Sequence, residues 1–183
     1  MKIIETPLAG LAIIEPKKFI DTRGFFLESF QERNYQKLLN VNFVQDNLSH
    51  SKKNVLRGLH YQVQQPQAKL VSVIKGCVFD VAVDIRKKST TFGKWFGIIL
   101  DDKNHRQLFI PKGFAHGFYV LSETADFHYK CSNYYNPATE LGILWSDSNL
   151  SITWPKNNDV LLSEKDKLLP TLENIPQEHL FND

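Results

Sequence analysis

The chain has 183 residues, 42% apolar, 12% aromatic and 23% charged, with 22 Lys and Arg against 20 Asp and Glu for a net charge of +2. That length suits one full core, and the composition is too apolar and varied for a disordered, collagenous or coiled-coil protein. No broad basic field is available for a nucleic acid, and apolar runs such as Gly97-Ile98-Ile99-Leu100 are too short for a membrane span or a signal-peptide core. A small anionic ligand remains compatible. Cys77 and Cys131 cannot form a disulfide framework, which suits a cytoplasmic chain that keeps them as small buried hydrophobes.

From the N-terminus, segments rich in β-branched and aromatic residues recur between turn signals. They are Leu11–Glu15, Phe25–Phe30, Phe43–Ser49, Val55–Tyr61, Lys69–Ile74, Cys77–Ile85, Lys94–Leu100, Arg106–Ile110, Phe118–Leu121, Asp126–Cys131 and Gly142–Ser146. Within the sixth, large apolar residues alternate with Asp80, Ala82 and Asp84, which places both carboxylates on one face. Lys75-Gly76 reads as a tight hairpin that pairs its two flanking strands, because glycine accepts a positive φ. Helix is scarce. Ser29 and Glu32 have capping-box spacing before a segment ending at Leu39, and Ser163 and Asp166 have it before Leu168-Leu169, with Pro170 as the stop. Neither a repeat nor a linker divides the chain, so residues 1–183 read as one domain. Many short strands with a few short helices predict an all-β fold, a jelly-roll barrel over about residues 4–150 with short C-terminal helices over about 160–183.

Chemistry concentrates in two places. Leu56-Arg57-Gly58-Leu59-His60-Tyr61 brings an anion binder near a potential base, and Lys69 follows nine residues after His60. On a regular strand Arg57 and His60 face opposite sides, so a shared site requires a bulge at Gly58; otherwise His60 is a structural histidine. The second place is Ile110-Pro111-Lys112-Gly113-Phe114-Ala115-His116-Gly117, whose Pro-x-Gly-x-x-His spacing resembles half of the cupin metal-binding pattern. The other half is absent, because Lys69 stands where a metal-binding cupin carries glutamate. An ammonium there disfavours a catalytic metal. Phosphate loops, nucleophile elbows and Cys-x-x-Cys are missing too, leaving phosphoryl transfer, hydride transfer and covalent serine catalysis unsupported.

Five ordered blocks carry a resemblance: Asp21-Thr22-Arg23-Gly24-Phe25-Phe26, Phe43-Val44-Gln45-Asp46-Asn47, Asn54 to Gln62, Val78 to Arg86, and Ile110 to Phe118. Together with Tyr129-Lys130, Asn133-Tyr134-Tyr135, Leu144-Trp145 and Leu162 to Asp166, they resemble the dTDP-4-dehydrorhamnose 3,5-epimerase family from about Ile4 to Pro170. The resemblance implies a cupin-like jelly roll without metal or other cofactor, assembled as a homodimer. It implies inversion of C3 and C5 of a dTDP-4-keto-6-deoxyhexose, a step toward dTDP-L-rhamnose. By that likeness His60 is the base, Asp166 its dyad partner, Tyr129 the acid and Lys69 the cation beside O4. Arg23, Glu28, Gln45, Asp46, Asn47, Arg57, His116, Glu140 and Lys165 match positions that hold nucleotide, diphosphate or sugar, part of that grip coming from the neighbouring subunit. Ala68 departs from the glycine that many members carry.

These roles make physical sense. Epimerisation beside a ketone needs a base for the C–H proton, a cation for the enolate oxygen and an acid on the other face; histidine, with an ordinary pKa of about 6.5, suits the first. Each residue also has a plainer reading: Asp166 as a helix cap, Lys69 as a solvated lysine, Tyr129 as a core tyrosine, Arg23 and Arg57 as surface charges. Asp80 could tether Lys69 across the expected hairpin. Tyr134, Tyr135 and Phe26 could stack a thymine. A single-carbon 5-epimerase, a metal-dependent cupin enzyme and a nucleotide-sugar binding module are the alternatives.

Overall fold

The computed structural model describes residues 1–155 and 159–182. In chain order its strands are β1 (Lys2–Glu5), β2 (Ala12–Glu15), β3 (Lys18–Asp21), β4 (Gly24–Leu27), β5 (Gln45–Lys52), β6 (Leu56–Gln62), β7 (Lys69–Lys75), β8 (Cys77–Asp84), β9 (Trp95–Asp101), β10 (Gln107–Ile110), β11 (Phe114–Val120), β12 (Thr124–Cys131) and β13 (Glu140–Gly142). Helix α1 (Glu32–Leu39) lies between β4 and β5, α2 (Glu164–Lys167) follows β13, and two short 3-10 turns close the chain. All strand pairs in the sheets are antiparallel. One sheet runs β1-β2-β10-β7-β12-β5, the other β13-β6-β11-β8-β9, and β3 and β4 form a separate hairpin. This is the expected all-β, cupin-like jelly roll.

The Lys75-Gly76 expectation is corrected here. Gly76 does take a positive φ of 88°, but β7 and β8 belong to different sheets and do not pair. A Cβ at Gly76 would stand 2.2 Å from the Thr124 carbonyl oxygen, so the glycine lets the chain cross between sheets against a crowded backbone. Three smaller differences have local causes. Gln31, not Ser29, caps α1: the helix begins at Glu32, so Gln31 is the flanking residue and its side-chain oxygen accepts from the Asn34 N–H. The strand expected over Gly142–Ser146 ends at Gly142, since the Leu144 N–H turns to the Pro170 carbonyl. The four-residue strands β1 and β3 were too short to register as periodic.

Three apolar clusters hold the fold. Between the sheets, Val71, Val73, Leu108 and Phe127 meet Val78, Ala82, Phe118 and Val120. Outside the five-stranded sheet, Val81, Val83 and Ile85 pack beneath Ile143, Leu150, Ile175 and Leu180 of the C-terminal segment. Outside the six-stranded sheet, α1 places Tyr35 on Ile14, Leu70 and Phe109. Strand β8 is thus apolar on both faces, and Asp80 and Asp84 share the inner face with Val78 and Ala82. Asp84 is satisfied by Arg86, Ser89 and Thr91. Because the C-terminal segment covers one sheet, it is held where α2 can reach the barrel mouth.

Candidate active site

A cavity of about 550 Å³ opens between the sheets. Lys69 and Tyr129 line it from β7 and β12, Arg57, His60 and His116 from β6 and β11, and Lys165 and Asp166 from α2. Phe118 and Phe127, stacked with centroids 4.1 Å apart, give it an apolar wall. Such a wall strengthens every charge interaction nearby.

Arg57 and His60 share the cavity because β6 bulges, as the sequence required. His60 pairs with His116 and Arg57 with Phe118, so three steps along β6 oppose two along β11. Gly58 makes this possible with a φ of 116°; a Cβ there would lie 2.6 Å from Gly117 Cα and 2.7 Å from the His116 carbonyl oxygen. Gly58→Ala is therefore expected to lower stability by roughly 2–4 kcal/mol, since both the backbone conformation and the close approach exclude it. Urea denaturation measures this, and a loss under about 0.5 kcal/mol would mean that the bulge tolerates a side chain.

His60 and Asp166, 106 positions apart in the chain, meet here: His60 Nε2 lies 2.6 Å from Asp166 Oδ1. Ser163 caps α2: its Oγ accepts from the Asp166 backbone N–H at 3.1 Å, while the Asp166 carboxylate is left to meet His60 and, at 3.5 Å, the Gly58 N–H. The preceding chain is clamped to the sheet by Leu161, which exchanges hydrogen bonds with Asn54 and Leu56. Burial pushes the Asp166 carboxyl up, but the bond and charge of His60 outweigh it and hold the group below the usual carboxylate range. The second nitrogen of His60, Nδ1, lies 4.0 Å from Glu140 Oε1, and the ring is 24% exposed.

On the opposing sheet, Lys69 Nζ stands 5.9 Å from the Tyr129 ring centroid. Burial lowers the Lys69 pKa, opposed by surrounding negative groups that include Glu140 and Asp80. Burial also raises that of Tyr129, so its phenol keeps its proton through neutral pH. Asp80 does not tether Lys69 across a hairpin, since β7 and β8 do not pair; its oxygens take His116 Nε2 at 2.9 and 3.1 Å.

Gln45, Asn47, Tyr135 and Glu140 line an adjoining recess that shares His60, Lys69 and Tyr129 with the main cavity. Tyr135 donates to Glu140 at 3.2 Å, and Lys165 pairs with the same carboxylate. Alternation along β5 turns Asp46 outward, where Lys130 holds both its oxygens at 2.9 Å. Asp46 therefore stands outside the cavity. So do Arg23 and Glu28 within one chain: Arg23 is 88% exposed at the β3–β4 turn and bonded to Asp21, and Glu28 is exposed after β4. The same alternation points inward two serines that the sequence reading passed over. Ser49 Oγ is buried without a partner at the cavity wall, and Ser51 Oγ accepts from Arg57 Nε at 3.1 Å. The period-two polar series from Gln45 through Ser51 was the available signal.

With Lys52, Arg57, Lys69 and Lys165 around one cavity, the local field is basic despite the small net charge. Among the described residues, no group of three or more His, Cys, Asp or Glu is arranged to hold a metal ion. A family model for dTDP-4-dehydrorhamnose 3,5-epimerase matches residues 5–174. The chain is 51% identical to the dTDP-4-dehydrorhamnose 3,5-epimerase of Escherichia coli K12 over 178 residues, covering 96% of each. It is 56% identical to a solved 3,5-epimerase from Legionella pneumophila in complex with dTDP-4-keto-L-rhamnose, with a TM-score of 0.97 and coverage of 100% and 98%. A 3'-monoepimerase from Streptomyces bikiniensis, solved with dTDP-quinovose, is more distant, at 32% identity and a TM-score of 0.86 over 92% of this chain and 86% of that one. The chain belongs to the dTDP-4-dehydrorhamnose 3,5-epimerase family.

Proposed function

We propose that the chain acts as one epimerase domain that inverts C3 and C5 of dTDP-4-dehydro-6-deoxy-D-glucose, with His60, Asp166, Tyr129 and Lys69 carrying the chemistry. The observation behind this reading is the 2.6 Å contact between His60 and Asp166 at the edge of a cavity that Lys69 and Tyr129 also line. His60 takes the proton from the carbon beside the ketone, and the bonding pair moves into an enolate whose oxygen, O4, is met by the Lys69 ammonium. Asp166 orients the ring and stabilises the imidazolium as it forms. Tyr129 then delivers a proton to the carbon from the opposite face, which inverts it. The same cycle at the other carbon completes the reaction, and no electrons are gained or lost. Arg57, Lys52 and Lys165 suit the diphosphate, because paired phosphate oxygens match guanidinium and ammonium donors.

The test is product stereochemistry in heavy water. Native protein should return the doubly inverted sugar with deuterium at C3 and C5 and without added metal. Label at C5 only would favour the single-carbon 5-epimerase, and label at C3 only the kind of activity named for the Streptomyces bikiniensis 3'-monoepimerase. Binding of dTDP without exchange would reduce the protein to a binding module. In Tyr129→Phe, proton removal should outlast inversion, so that starting sugar acquires deuterium faster than product forms; equal loss of both would remove Tyr129 from the acid role.

A homodimer accounts for the residues outside the cavity. The β3–β4 hairpin exposes Phe19, Ile20, Phe25 and Phe26, and the outer sheet face exposes Leu48 and Ile74, apolar side chains that a second copy would cover. We place Arg23 and Glu28 at the neighbouring chain's nucleotide site, and the reaction in the cytoplasm; among the described residues no helix is long and apolar enough to cross a membrane. Sedimentation should give twice the mass of one chain, and Arg23→Ala should raise KM about tenfold while leaving kcat within twofold. A monomer with full activity would refute the shared site.

A further inference from the structure

The proton transfers assigned above make no use of Asp80, a carboxylate of the barrel interior. Asp80 is fully buried on the inner face of β8. An ionised carboxylate in that position is costly unless it is paired and hydrogen-bonded. Its bonded partner is His116, whose Nε2 meets both carboxylate oxygens. His116 lines the cavity and is 7% exposed. It sits directly opposite His60 in the β6–β11 register. The cavity therefore holds two imidazoles, each backed by a buried carboxylate, of which the mechanism uses one.

We propose that Asp80 is a positioning residue: it takes the Nε2–H of His116, fixing that ring as a wall of the cavity opposite His60. This rests on the epimerase reading. The neighbouring charges act differently. Glu140 on β13 is committed to Lys165 of α2, Asp166 of α2 to His60, and Asp84 on β8 to Arg86. Tyr129 on β12 stays neutral, and Arg57 on β6 is held by Ser51. Asp80 alone among the nearby carboxylates is both fully buried and bonded to a cavity-lining ring without belonging to the dyad.

Asp80→Asn keeps the shape and removes the charge, and an amide can donate to Nε2 as well as accept from it. The rate of deuterium incorporation from heavy water should fall roughly 10- to 100-fold, with KM within about threefold, because a misdirected ring no longer shapes the wall against which the sugar reacts. A native rate would overturn the proposal, as would a loss confined to KM or to thermal stability. Native protein is measured first: if it fails to exchange C3 and C5, the epimerase reading falls, whereas native exchange with an indifferent Asp80→Asn removes only this inference. Should the variant not fold, 15N NMR of native His116 decides. A proton on Nε2 supports the assignment, and a bare Nε2 overturns it.

Discussion

His60→Gln is expected to lower hydrogen exchange at C3 and C5 of the keto sugar by roughly 10²–10⁴-fold, the usual contribution of a positioned general base. Binding of the nucleotide should change little, because the diphosphate contacts proposed for Arg57 and Lys165 lie elsewhere. Deuterium counting by NMR measures it, and exchange at both carbons at the native rate would dismiss His60 as the base. Asp166→Asn should cost less but act on the same step, since the amide leaves the ring without one enforced tautomer. Asp166 also ties activity to stability. Its carboxyl sits below the ordinary range in the folded chain, so the unfolded chain binds the proton first on acidification. The stabilising contribution is complete above about pH 5 and is lost as pH falls through the folded value. Asp166→Asn should flatten that part of the acid-unfolding curve.

The sequence carried the strand rhythm well because period-two patterning is local, and it carried the β6 bulge because two functional residues of wrong parity flank a glycine. What escaped was set by partners distant in the chain. Gly76 has the chemistry of a hairpin turn, yet the chain uses it to change sheets, since the neighbours of β7 are β10 and β12. Spacing alone favoured Asp166 as a helix cap over a partner for His60; in the fold Ser163 does the capping, accepting from the Asp166 N–H, and the Asp166 carboxylate meets His60. The resemblance named Asp46 beside Gln45 and Asn47, but strand alternation parts it from them. Ser49 and Ser51 were legible in principle as members of the inward series, and hydroxyls in a strand simply lack the charge that drew attention to Arg57 and Lys69. Arg23 and Glu28 stand exposed outside the cavity of one chain, and the shared site proposed for them is one that a single chain's register does not report.

Lys69→Met preserves the length and much of the apolar contact of the side chain while removing its charge, and it should lower kcat roughly 10²–10³-fold, equivalent to about 2.7–4 kcal/mol for one preorganised donor at a developing oxyanion. KM should stay within a few-fold, because the ketone oxygen carries little charge in the bound substrate and nearly a full charge in the enolate, so the interaction grows along the reaction. A raised KM with unchanged kcat would make Lys69 a binding residue and leave the enolate without its cation. The pH profile gives an independent check. Burial pulls the Lys69 ammonium below the ordinary lysine range, so the rate should decline on the alkaline side before about pH 10.4, the value of an exposed lysine. Lys69→Arg, whose guanidinium keeps its proton throughout, should abolish that decline while lowering the plateau, since a planar fork cannot occupy the space of an ammonium. If the decline persisted in the arginine variant, the alkaline titration would belong to another group.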